Sequence, residues 1–151
     1  MLGFFWMGCD AGDDPEVLYA NNFVPIENLY KPTERRQVPE TIEEKAFVEY
    51  DRKNYPEAAR WLQKLESPDA GQRFYLAVAL MASQQESAAK PLLEQLIQED
   101  QPYKPLTEWY LALCFVRENQ MGEAEALLDF IAQSPGHPYQ GEAGKLLERV
   151  K

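Results

Sequence analysis

The stretch Phe74 to Leu96, FYLAVALMASQQESAAKPLLEQL, decides the fold, and its pattern returns 35 residues later as Trp109 to Ile131, WYLALCFVRENQMGEAEALLDFI. Each copy holds two alanines twelve residues apart: Ala77 and Ala89, then Ala112 and Ala124. A third pair, Ala46 and Ala58, stands 31 residues before the first. A large apolar residue follows the second alanine of each pair by four (Leu62, Leu93, Leu128) and another by seven (Leu65, Leu96, Ile131). Internal periods of this size mark stacked helical repeats. Each unit reads as two helices that approach closely at the alanines, with the apolar residue one turn on filling the seam to the next unit.

Working outward, the pattern predicts helices at about 41–53 and 56–66, 70–84 and 86–99, 104–119 and 121–133, with a last one at 138–150. Thr41 with Glu44 three residues on is a capping box. Pro56 falls in the first turn of its helix and Pro91 within the first turn and a half of its own, where a missing N–H costs little. Ser67-Pro68-Asp69, Asp100-Gln101-Pro102 and Ser134-Pro135-Gly136-His137-Pro138 end the three units. Residues 10–40 carry four prolines and no sustained helical period, so they read as an extended arm, with at most a short helical turn near Glu16–Ala20. The arm is rich in Leu18, Tyr19, Phe23, Val24, Ile26, Leu29 and Tyr30, more apolar than a solvated linker, and is expected to pack on something.

At 151 residues, 45% of them apolar, the chain can bury a shared core. Its net charge of −10 opposes nucleic-acid binding, which works by neutralising phosphates with Lys and Arg. Cys9 and Cys114 form no disulfide framework or zinc-binding spacing. The only histidine, His137, lies in a proline-flanked turn and reads as a cap for the last helix rather than a base. No serine has a His/Asp partner in sight and no Gly-rich phosphate loop is present, so catalytic, cofactor and metal residues are all expected to be none.

Residues 1–9 begin with MLGFFWMG, too short to span a bilayer, and Cys9 follows. Three readings stand: the tail of a longer membrane segment, a lipoprotein signal with Cys9 acylated, or an unanchored terminus.

The alanine spacing resembles tetratricopeptide (TPR) repeats over about residues 41–134. That resemblance implies an all-α, right-handed TPR solenoid of three helix hairpins at about 41–68, 69–102 and 103–135, a capping helix at 138–150, and a protein-binding role without catalysis. The turns Lys53-Asn54-Tyr55, Gln84-Gln85-Glu86 and Asn119-Gln120-Met121 depart from the family's Gly-Asp-Tyr-like turn. The arm element Phe23-Val24-Pro25-Ile26-Glu27-Asn28, with Trp109-Tyr110-Leu111-Ala112-Leu113 and the junction Ser134 to Tyr139, resembles small envelope TPR proteins of Bacteroidetes-type bacteria. It implies a place at the cell envelope, membrane-anchored and facing the periplasm, the alternative being the cytoplasm.

In a TPR stack the first helix of each hairpin lines a concave groove. Here the runs Phe74–Met81 and Trp109–Val116 show no charged or strongly polar residue for eight positions, so both of their faces need cover. The groove side is expected to hold Phe47, Tyr50, Phe74, Val78, Met81, Trp109, Leu113 and Val116. Its cover is expected to be the arm's Phe23, Val24, Ile26, Leu29 and Tyr30, a partner's apolar peptide or helix, or the groove of a second copy. The expected function is a non-enzymatic interaction scaffold or adaptor at the envelope, its partner another protein or peptide. Its alternatives are a lipid-anchored scaffold of an outer-membrane assembly or uptake complex, and a small-molecule or glycan receptor stacking its ligand on Trp109, Phe74 and Tyr50.

Overall fold

The computed structural model describes residues 14–32 and 38–151. These residues form eight helices and no strand: α1 (Pro15–Asn22), α2 (Ile42–Asp51), α3 (Tyr55–Leu62), α4 (Ala70–Ala82), α5 (Glu86–Leu96), α6 (Lys104–Arg117), α7 (Met121–Ala132) and α8 (Gln140–Val150). Each helix from α2 to α8 packs on its neighbours in sequence, and α1 packs on α6. The fold is all-α.

Local chemistry sets the helix starts. Thr41 and Glu44 close a full capping box on α2, and Asp69 with Gln72 closes another on α4. Asp14 caps α1, its carboxylate accepting the backbone N–H of Glu16 at 2.8 Å, and Pro15 starts the helix. That cap is why α1 makes two turns where the sequence predicts an extended chain with one turn at most. In the other direction α3 stops at Leu62, short of the expected 66. Leu65 falls beyond its end and stays half-buried.

The three turns inside the helix pairs share one geometry. Lys53, Gln84 and Asn119 have φ of 62°, 59° and 57°. The next residue in each turn reaches back five positions, Asn54 N–H to the Glu49 carbonyl, Gln85 to Leu80 and Gln120 to Phe115, at 2.8–2.9 Å. Lys53, Gln84 and Asn119 themselves reach back three, to Tyr50, Met81 and Val116, at 2.9–3.1 Å. These are Schellman caps, which satisfy the last carbonyls of a helix and usually place Gly at the left-handed residue.

The alanine pairs lie where close approach demands them. Ala46, Ala58, Ala77, Ala89, Ala112 and Ala124 are all fully buried. Leu62, Leu93, Leu96, Leu128 and Ile131 fill the space beside them. On α8, Ala143, Leu146 and Leu147 cover the end of the core against α7.

Candidate functional site

From α1 the chain continues extended over residues 23–31, laid across α6, α4 and α2. Three tyrosine hydroxyls, one from each helix, hold its backbone. Tyr110 of α6 donates to the Val24 carbonyl at 2.6 Å, Tyr50 of α2 to the Ile26 carbonyl at 2.7 Å, and Tyr75 of α4 to the Glu27 carbonyl at 3.0 Å. The Tyr75 oxygen also accepts the Leu29 N–H at 2.8 Å. An otherwise orphaned main chain is thereby satisfied without a β-sheet, at about 1 kcal/mol net per bond.

The arm runs opposite to the helices that hold it. At one end Glu16 pairs with Arg117, at the end of α6, at 3.3 Å, and the Tyr19 hydroxyl sits 3.5 Å from the Met81 carbonyl near the end of α4. At the other end the Tyr30 hydroxyl donates to Asp69 at 2.5 Å, and Lys31 bonds Glu43 at 2.7 Å, both at helix starts. Asn28 closes the extended segment as an Asx turn, its side-chain oxygen accepting the N–H groups of Tyr30 and Lys31 and its amide bonding the Lys31 carbonyl.

All eight residues expected to line the groove are buried, Phe47, Phe74, Val78, Leu113 and Val116 completely. Stacked rings cover three of them. Tyr30 of the arm stacks on Phe47 at 5.1 Å. Tyr103, just before α6, stacks on Phe74 at 5.3 Å. Tyr139, just before α8, stacks on Trp109 at 4.8 Å, so the Trp109 face is closed by the junction to the last helix rather than by the arm.

Of the five arm residues expected to dock, Phe23, Ile26 and Tyr30 pack on the core, but Val24 and Leu29 stand 70% and 65% exposed. Successive side chains of an extended chain face opposite ways, and the alternation along 23–30 shifts by one residue at Pro25–Ile26, both half-buried, which leaves Val24 and Leu29 each on the outer side. Val24 and Leu29 take part through their backbone carbonyl and N–H, not through their side chains. Leu18 and Tyr19 of α1 are buried as well, and Phe23 stacks on Tyr19 and meets Tyr110 edge-on. The hydroxyls of Tyr75 and Tyr110 are the binding groups that the sequence analysis missed. Their signal was present: a phenol at the same place in the runs Phe74–Met81 and Trp109–Val116, which hold no charged side chain.

Burial pushes the hydroxyls of Tyr19, Tyr50 and Tyr110 well above the ordinary phenol range, so they stay protonated donors. At the arm's far end the hydrogen bond from Lys31 holds the Glu43 carboxyl below its usual range, and Gln72 adds a second bond to the same carboxylate.

The remaining chemistry-bearing side chains sit elsewhere and are occupied. His137 Nε2 lies 3.2 Å from buried Glu108, while its Nδ1 accepts the N–H of Tyr139, the N-cap residue of α8. This fixes Nε2 as the ring nitrogen that holds the proton in the neutral tautomer. Burial pushes the Cys114 thiol up and keeps it protonated. No group of His, Cys, Asp or Glu among the described residues has metal-binding geometry, and none of the helices there is long and apolar enough to cross a membrane. Cys9, the candidate lipidation site, and residues 1–9 lie outside the described residues. Comparison with protein-family models, with curated proteins and with solved structures finds no match to this chain.

Proposed function

We propose that the chain is a TPR-type interaction module that recognises extended peptide backbone, with its own arm as the resident ligand. The observation that carries this is the set of tyrosine bonds to the Val24, Ile26 and Glu27 carbonyls. They read main chain, which every peptide has, while the pockets of Phe23, Ile26 and Tyr30 read side chains at intervals. A groove of this design accepts a competing segment with the same spacing. It acts as a scaffold or adaptor without catalysis, in a right-handed stack of three hairpins closed by α8. The apolar run before Cys9 and the likeness to envelope TPR proteins support a place at the cell envelope. The glycan-receptor alternative is disfavoured, because the faces of Trp109 and Phe74 are already stacked upon by Tyr139 and Tyr103.

The test is competition in trans. Ile26→Asp on the full chain buries a carboxylate at the centre of the arm and releases it, leaving the helices untouched. A synthetic peptide of residues 15–31 is then titrated against both chains by fluorescence anisotropy. The released chain should bind it at least tenfold more tightly than the unaltered one. Equal or absent binding to both would show that the groove is core packing and not a receptor.

A further inference from the structure

A second apolar groove, about 460 Å³ in volume, opens between α5 and α7 and has the side chains of Leu111 and Phe115 of α6 as its floor. It is separate from the arm, which meets α6 through Tyr110 and Arg117, neither of which lines the groove. Its walls are Ile97, Leu127 and Phe130, the last 55% exposed. The repeat supplies an internal control. The offset of 35 residues places Gln95 of α5 where Phe130 of α7 stands, in the corresponding groove between α3 and α5. The fold therefore closes with a polar residue at this position, and the aromatic one in the second groove is not demanded by packing.

Charge narrows the occupant. Glu94 and Glu123 line the groove, and no lysine or arginine lines it. Lys90 approaches the floor, 5.8 Å from the Phe115 ring, but is ion-paired to Glu118. We infer that this groove docks an amphipathic helix of a partner protein, with large apolar side chains set on Phe115 beside Phe130 and lysines or arginines flanking them to meet Glu94 and Glu123. Two parallel helices with an apolar cleft between them form the usual receptor for such a segment, read as anchors three and four residues apart. The chain's net charge of −10 favours encounter with a basic partner. The site does not depend on whether the arm leaves its own groove, so the two surfaces can be tested apart.

The probe is a displayed library of random 16-residue peptides selected on the full chain. The selected sequences should carry apolar residues at helical spacing with Lys or Arg beside them. A synthetic consensus peptide should then lose at least tenfold in affinity to Phe130→Gln, which installs the residue of the preceding repeat. It should lose as much to Glu94→Lys with Glu123→Lys, and that double variant should prefer acidic peptides. Phe130 is largely solvated, so its replacement leaves folding intact, which thermal melting checks. The inference is overturned if selection enriches nothing of this chemistry, or if Phe130→Gln leaves the affinity unchanged. It is equally overturned if sedimentation finds a dimer that Phe130→Gln dissociates, since the occupant is then a second copy. Removal of residues 1–13 opening the groove to peptide would assign it to the chain's own start and overturn the inference as well.

Discussion

A Cβ placed on Gly71 would lie 2.4 and 2.5 Å from two ring carbons of Tyr30 and 3.1 Å from Tyr103. The two distances to Tyr30 are too short for any real contact, so one partner must move. The Tyr30 ring is held on both sides, stacked on Phe47 and bonded to Asp69, whereas Gly144 of α8 has nothing within 4 Å. In an open helix, alanine for glycine gains roughly 0.5–1 kcal/mol. Gly144→Ala should show that gain in urea denaturation, while Gly71→Ala should lose about 1–3 kcal/mol by overpacking. Gly71→Ala should also speed amide exchange at residues 27–31 without affecting α5 to α8. A stabilised Gly71→Ala chain with a protected arm would mean that the glycine has no part in seating Tyr30. The same logic separates neighbours along the arm: Ile26→Asp disrupts it, whereas Val24→Asp, on an exposed side chain, should stay within about 0.5 kcal/mol of the unaltered chain.

The three Schellman turns join the helix pairs with lysine, glutamine and asparagine in the left-handed region. A residue with a Cβ is strained there by roughly 1–2 kcal/mol, part of which glycine would return as unfolded-state entropy. Lys53→Gly and Gln84→Gly should therefore each raise stability by about 0.5–1 kcal/mol, and Asn119→Gly by less, because asparagine tolerates this conformation. Unchanged or lowered midpoints in denaturation would place the strain elsewhere. These turns also show what was legible in the sequence. The pairing of helices was, because it rests on the alanine spacing, and small residues are needed wherever two helices touch closely. The turn type was not, since its usual glycine is missing and the geometry is imposed by the helices on each side. The extended path of residues 23–31 follows from composition, as apolar side chains among prolines must find cover. Which of them face inward depends on the register set by Tyr50, Tyr75 and Tyr110, whose hydroxyls bind carbonyls that no sequence pattern marks. The second groove, at Phe130, became visible only as a departure from the chain's own repeat.

Across the whole molecule, all eight tyrosines have their hydroxyls pushed above the ordinary phenol range, with burial the leading cause in each. The rings span the arm, the first helices of the pairs and the junction before α8, so one titration reports on the entire assembly. The sign is fixed by linkage. Above about pH 10 the unfolded chain releases phenol protons that the folded chain keeps, so it binds fewer protons and stability falls as pH rises. Tyr50 and Tyr110, 2% and 0% exposed, should each contribute a slope of about 1.4 kcal/mol per pH unit between the unfolded and folded values. Stability measured in urea should hold roughly level between about pH 8 and pH 9.5 and then drop steeply. Native phenolate absorbance should lag that of the unfolded chain over the same interval. The arm is tied to this transition, because a phenolate cannot donate to the Val24 or Ile26 carbonyl, and it should exchange before the helix pairs do as the pH climbs. Tyr50→Phe with Tyr110→Phe should flatten the alkaline slope while loosening the arm already at neutral pH. If stability instead persists past about pH 11 with all tyrosines intact, the phenols ionise as easily in the folded chain as in the unfolded one. The hydroxyls could then not be the buried donors that hold the arm.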